Sequence, residues 1–181
     1  MENLSPACIL ITGIMASGKS TVAQQLAEQL PKSVHLRGDV FRKMMVNGRV
    51  PMEPPLTDEA FAQLKLRYQI AATAARQYCE AGFTVVYQDV IIGDILKDVV
   101  AMHRTEFPLS VVVLCPSPEV ALQRDSTRHK QTYTGWTPED LDRALREETP
   151  QIGLWLDTTN LSIEETVAMI LNRIDEARVI G

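Results

Sequence analysis

The sequence predicts an α/β fold, a three-layer α/β/α sandwich built on a five-stranded parallel sheet. Three observations predict it. Short runs such as Cys8-Ile-Leu-Ile-Thr12 and Leu109-Ser-Val-Val-Val-Leu-Cys115 are almost wholly apolar rather than alternating, as strands buried on both faces are. Longer stretches of helical periodicity separate them. The first run leads at once into a glycine-rich turn that opens a helix, which is how parallel crossover units begin.

Each element has its own signal. From Lys19 the apolar positions Val22, Leu26, Ala27 and Leu30 predict a helix that Pro31 ends. Ser33-Val-His-Leu-Arg37 reads as the second strand, and Gly38-Asp39 opens a short helix. One glycine and three prolines between Asn47 and Leu56 predict a loop. Thr57 can cap a long helix to about Ala81, with Gly82 at the position that favours glycine. Phe83 to Gln88 is the third strand, and a helix follows around Ile95 to Arg104. After the strand Leu109 to Cys115, a helix runs from Pro118 to about Arg128. Thr137-Pro-Glu-Asp140 starts another, to about Glu148. Ile152 to Leu156 is a weak fifth strand, and Ser162-x-x-Glu165 opens a last helix carrying Ile163, Val167, Ile170, Leu171 and Ile174.

Length and composition set the limits. The 181 residues suit one domain, residues 1–181, and 45% hydrophobic with 23% charged residues is ordinary for a soluble globular protein. No apolar run approaches the roughly 20 residues of a membrane span, so no membrane partner is expected. The start, Met1-Glu-Asn-Leu-Ser, lacks the basic opening of a secretory signal. A net charge of −5 with few aromatics disfavours extended nucleic acid as a partner. Cys8, Cys79 and Cys115 form no CxxC pair and read as reduced thiols of a cytoplasmic protein. The three histidines show no metal-ligand spacing.

The chemistry starts at Gly13-Ile-Met-Ala16-Ser17-Gly18-Lys19-Ser20, a complete G-x-x-x-x-G-K-[ST] motif between strand and helix. Glycines let the backbone wrap phosphates, and the helix N-terminus favours their charge. Lys19 should reach the β- and γ-phosphates of ATP, Ser20 should ligate Mg²⁺, and Thr21 should add a contact near the α-phosphate. Asp89, at the end of the third strand, is the second candidate for the metal or its water. The alternative is a strand-end turn residue.

On the acceptor side, Asp39 has the residue type and position of a general base for a hydroxyl. Arg42, one turn on, shares its helix face and could hold an anion. Simple helix capping would explain Asp39 but not the pair. Residues 40–68 exceed what a minimal crossover needs and read as an acceptor-binding insertion, in which Arg49, Gln63 and Arg67 could read a substrate. Asp94 could border the acceptor or cap a helix. Arg124 and Arg128, four apart, share a face of a segment that reads as a short lid over about 124–136, able to bring arginines onto the transferring phosphoryl. A solvated charged face is the alternative. Thr158, in Asp157-Thr-Thr-Asn160 after the fifth strand, lies either near the nucleotide or in a plain turn.

Together these residues resemble the small P-loop kinases grouped with chloramphenicol phosphotransferase and the zeta-toxin-like kinases. The resemblance rests on Gly13 to Ser20, Asp39, Val-Val-Tyr-Gln-Asp89, the Pro118-Glu-Val-Ala-Leu-x-Arg124 stretch with Arg128, and Asp157-Thr-Thr. It implies a P-loop kinase fold, ATP with Mg²⁺, and the base role for Asp39. The Asp39-x-x-Arg42 pair is similar to that of polynucleotide 5′-kinases, and the stretch from Lys43 to Asp58 to the insertion of gluconate kinases. Gln88-Asp89-Val-Ile-Ile stands where gluconate kinases carry a Ser-Ala-Leu-Lys-type motif. The expected function is transfer of the γ-phosphoryl of ATP to a hydroxyl of a small-molecule acceptor. A nucleotide or polynucleotide 5′-kinase is the enzyme alternative, and a non-catalytic ATP-binding regulatory module is the alternative of another class.

Overall fold

Five strands, β1 (Cys8–Gly13), β2 (Ser33–Arg37), β3 (Thr84–Gln88), β4 (Leu109–Leu114) and β5 (Leu154–Leu156), form one sheet in the order β2-β3-β1-β4-β5. Every pairing is parallel. The computed structural model describes residues 6–104, 106–126 and 135–179.

Alternation along each strand divides the core. Cys8, Leu10, Val85, Tyr87, Val111 and Val113 face one side. There they meet residues of α3 (Asp58–Glu80), α4 (Ile95–Met102) and α6 (Pro138–Arg143). Ile9, Ile11, Val86, Val112 and Leu114 face the other side, covered by α1 (Lys19–Glu28), α7 (Ile163–Asn172) and Ala177 of α8 (Ile174–Ala177). Burying both faces is why these strands carry no polar alternation. Two more helices, α2 (Gly38–Lys43) and α5 (Pro118–Ser126), follow β2 and β4. All three cysteines are free and buried.

The capping signals hold. Thr57 accepts from Ala60 N–H, Thr137 from Asp140 N–H, and Ser162 with Glu165 forms a full capping box. Gly82 has φ +84° just past α3. Several boundaries shift. α1 stops at Glu28 rather than Leu30, because residues before a proline avoid the helical region. The described part of α5 ends at Ser126, and the expected continuation to about Arg128 lies outside the described residues. The helix expected to reach Glu148 ends at Arg143 and continues as a π turn, Ala144–Glu148. Thr149 Oγ1 closes that turn by donating to Ala144 O (3.0 Å) and accepts from Gly93 N–H (2.6 Å). The last helix breaks at Arg173, and the chain returns to the sheet, where Val179 N–H donates to Leu109 O (2.8 Å).

Candidate active site

The sheet order sorts the expected residues before any side chain is considered. The loop after β1 lies in the middle, between the carboxyl ends of β3 and β4. Asp39 and Asp89 follow β2 and β3 on one side, whereas Arg124 and Thr158 follow β4 and β5 on the other. Ligands of open α/β sheets bind at these carboxyl ends, where the strand order reverses.

The loop itself is tightly wound. Gly13 (φ +148°), Ala16 (φ +59°) and Gly18 (φ +94°) use backbone conformations in which amides can converge. A Cβ on Gly13 would run into the carbonyl of Leu114 and stand 2.9 Å from Ser17 Oγ, so only glycine fits there. Lys19 is buried, and its Nζ donates to Ile14 O (2.5 Å) and Ser17 Oγ (3.4 Å), lying across the mouth of the loop. Ser20 and Thr21 are exposed on the first turn of α1.

Arg124 reaches this loop from α5. Its guanidinium donates to Ser17 O (3.3 Å) and to Thr158 O (3.2 Å), and its Nη1 would lie 3.7 Å from a Cβ at Gly18. One arginine therefore joins the P-loop, the β4 side and the β5 side. This brings the Asp157-Thr158-Thr159 loop to the P-loop. That loop is ordered by its own turn, in which Asp157 accepts from Thr159 N–H (2.9 Å) and Oγ1 (2.5 Å). Arg128 and most of the expected lid lie outside the described residues. At the end of the expected lid, Trp136 Nε1–H donates to Met52 O (3.3 Å), tying this chain segment to the acceptor-side loop.

Asp39 sits in the first turn of α2 rather than at the N-cap, so capping does not account for it. It pairs with Lys43, one turn on, and with Arg37 (3.6 Å). Burial pushes its carboxyl up, but Lys43 and Arg37 outweigh burial and hold it below its ordinary value. Asp39 is therefore ionised at neutral pH and able to accept a proton.

Asp89 has a different setting. It is buried, with Oδ1 accepting from Arg67 Nη2 (2.9 Å) and Val90 N–H (2.8 Å), and Oδ2 accepting from the Tyr87 hydroxyl (3.1 Å). Burial pushes its carboxyl up, while Arg67, these donors and Lys19 pull the other way. Asp89, expected to hold the metal or its water, thus has protein donors on both oxygens. Arg67, expected to read a substrate, places one guanidinium nitrogen on Asp89, while its Nε is buried without a hydrogen-bond partner. Gln63 is likewise a buried staple, accepting from Val50 N–H (3.0 Å) and donating to Gly48 O (2.8 Å). Asp94, expected to border the acceptor, is solvated and pairs with Lys97 (3.1 Å). Its side chain is 85% exposed, and it makes no cap bond to α4.

Hard oxygen donors suit Mg²⁺. Ser20, exposed beside the phosphate cradle, fits that requirement. Among the described residues no group of three His, Cys, Asp or Glu side chains could hold a metal ion unaided. An ion here would take its remaining ligands from the nucleotide.

The residues of the site that sequence reasoning missed are its supports. Lys43 was legible as an i, i+4 partner of Asp39. Tyr87 and Gly38 were not. A Cβ on Gly38 would run into Asp89 Oδ2 and stand 2.6 Å from Cγ. Gly38→Ala should therefore push the pinned Asp89 carboxylate off Arg67, lowering stability by about 1–3 kcal/mol as overpacking does. A thermal melt checks this, and an unchanged melting temperature would show that Asp89 has room to move.

A P-loop fold of the α/β/α type with its phosphate cradle, Lys19 and Arg124 in register defines a nucleotide-binding protein. A family model described as an AAA domain, AAA_33, matches residues 8–150, and the chain belongs to that family. No curated protein matches it significantly. Solved structures do. A sugar kinase from Janibacter sp. HTCC2649 is 21% identical with a TM-score of 0.69, over 95% of this chain and 96% of that one. The APS kinase of Mycobacterium tuberculosis, in complex with AMPPNP and APS, is 18% identical (TM-score 0.68; 94% and 98% covered). A gluconokinase from Sinorhizobium meliloti 1021 is 20% identical (TM-score 0.65; 94% and 93% covered). At these identities the likeness is one of fold, and it is to P-loop kinases. No helix among the described residues is long and apolar enough to cross a membrane.

Proposed function

We propose that this protein is a kinase that transfers the γ-phosphoryl of ATP to a hydroxyl of a small-molecule acceptor. The strand order is the observation that carries the reading. Arg124 and Thr158 lie on one flank of the P-loop and the Asp39 carboxylate on the other, which supports a nucleotide side and an acceptor side. A binding or switch module needs the first flank but has no use for the second. The kinase neighbours named above support the same reading.

The roles then follow from chemistry. Loop amides and Lys19 hold the β- and γ-phosphates, and Arg124 completes the nucleotide side. Arg128 would join it from the lid. Mg²⁺, held by Ser20 and the phosphates, would neutralise charge on the phosphoryl oxygens when bound. The acceptor oxygen bonds to the γ-phosphorus as the bond to the β–γ bridging oxygen breaks, and ADP leaves. The hydroxyl proton passes to Asp39. A carboxylate of low pKa is a weak base, so its larger contribution is to orient the hydroxyl in line with the leaving oxygen. Asp89, locked with Arg67 and Tyr87, acts as a positioning residue between α3 and the P-loop lysine. The protein works in the cytoplasm, where ATP and reduced thiols coexist.

Acceptor-dependent ADP release across a panel of sugars, antibiotics and other hydroxyl compounds tests the reading. Asp39→Asn should lower kcat about 10²-fold while leaving ATP affinity unchanged. Full transfer by this variant to the true acceptor would remove Asp39 from the base role.

A further inference from the structure

The charges on the acceptor side do not cancel. Asp39 is taken by Lys43 and Arg37, and Asp89 by Arg67. Arg42 and Arg49 have no carboxylate within ion-pair distance among the described residues. Arg42 is half-buried, donates to the carbonyl of Val50, and leaves its Nε buried without a hydrogen-bond partner. The Nε of Arg67 is buried and unpartnered as well. Gln63 clamps Gly48 and Val50 to α3, which fixes the backbone on either side of Arg49. Arg42 is thus anchored one residue from Arg49, on the same helix face as Asp39. Burial, then Arg49 and Arg67, hold its guanidinium below its ordinary value, so like charges converge here. Such convergence is unfavourable unless an anion completes it.

We infer that the phosphoryl acceptor is itself an anion, whose phosphate or carboxylate group is held by Arg42 and Arg49 while its hydroxyl lies at Asp39. This inference rests on the transfer reading above and narrows its substrate class. Guanidinium forks suit either anion, since both present paired oxygens. Asp39 and Arg42 one turn apart then fix the spacing: hydroxyl and anion must lie within a single small molecule or one nucleotide. Neutral hydroxyl compounds would leave the arginines uncompensated and should be poor acceptors.

The test uses the full chain with its P-loop saturated by a non-hydrolysable ATP analogue. Inorganic phosphate and malonate are then titrated by calorimetry, so that any heat reports a second anion site. One equivalent should bind, and preference between the two probes identifies the anion. Arg42→Gln and Arg49→Gln should each weaken binding about 10- to 100-fold. Arg42→Lys should retain part of it, and Arg49→Gln, on an exposed loop residue, keeps the test valid should Arg42 variants fold poorly. In turnover, anionic acceptors should show KM raised by a similar factor in these variants with KM for ATP unmoved. Absence of a second anion site, or affinity unchanged in both variants, overturns the inference. So does equal turnover of matched neutral acceptors. Anion binding of the expected kind with no acceptor-dependent ADP release would support the anion site and overturn the transfer reading alone.

Discussion

Lys19→Ala is expected to lower ATP turnover on the order of 10³-fold. Lys19 is the first residue of α1 and is buried, with its Nζ held over the loop by Ile14 O and Ser17 Oγ. Its charge is therefore in place before nucleotide arrives, and little reorganisation is needed when phosphate oxygens displace those contacts. Alanine is the best helix former, so α1 should survive the change and the melting temperature should barely move. Stability and activity then separate. Lys19→Arg should not restore activity, since a planar fork on a longer stem does not fit a site built around a point charge. Steady-state ADP release with a parallel thermal melt checks both points. Turnover within tenfold of the original would mean that the loop is not the working phosphate cradle.

The second large effect is on stability. Arg67→Ala should destabilise the protein by about 3–5 kcal/mol, because it strands Asp89 as a buried carboxyl without its counter-charge. For a chain of this size that is roughly a 10 °C fall in melting temperature. The pH dependence carries a signature. Burial raises the Asp89 carboxyl above its ordinary 3.8, and Arg67 is the strongest group pulling it down. Removing Arg67 raises it further. A group whose pKa is raised in the folded state adds stability below the unfolded value and loses it as pH climbs through the folded one. The deficit of the variant should therefore be smallest near pH 4 and widen as pH rises. A deficit independent of pH would show that Asp89 gains a different partner. Arg67→Lys should recover part of the loss, as one charge is restored without the second donor.

Much of this was legible in the chain. Apolar runs without alternation fixed a buried parallel sheet, because a strand covered on both faces has no solvent side to mark. Gly13 to Ser20 announced the cradle, because close approach of backbone to phosphate demands glycine at set positions, whereas the caps at Thr57, Thr137 and Ser162 were readable because their partners lie three residues away. The Asp39–Lys43 pair has the same local spacing, one helical turn, but sequence reasoning paired Asp39 with Arg42 and passed over it. What stayed hidden was every pairing across elements. Asp89 stood out as a strand-end carboxylate, but its engagement by Arg67 depends on how α3 packs on β3, a contact 22 residues apart in sequence. Gln63 and Asp94 fared likewise: one was drawn into the core to hold a loop, the other was left in water, and neither fate is encoded by residue type. The sequence by itself determined the buried parallel sheet and the P-loop between its first strand and first helix. Only the tertiary structure decided which charges pair with one another, because electrostatic pairing follows distances in space that no local spacing specifies.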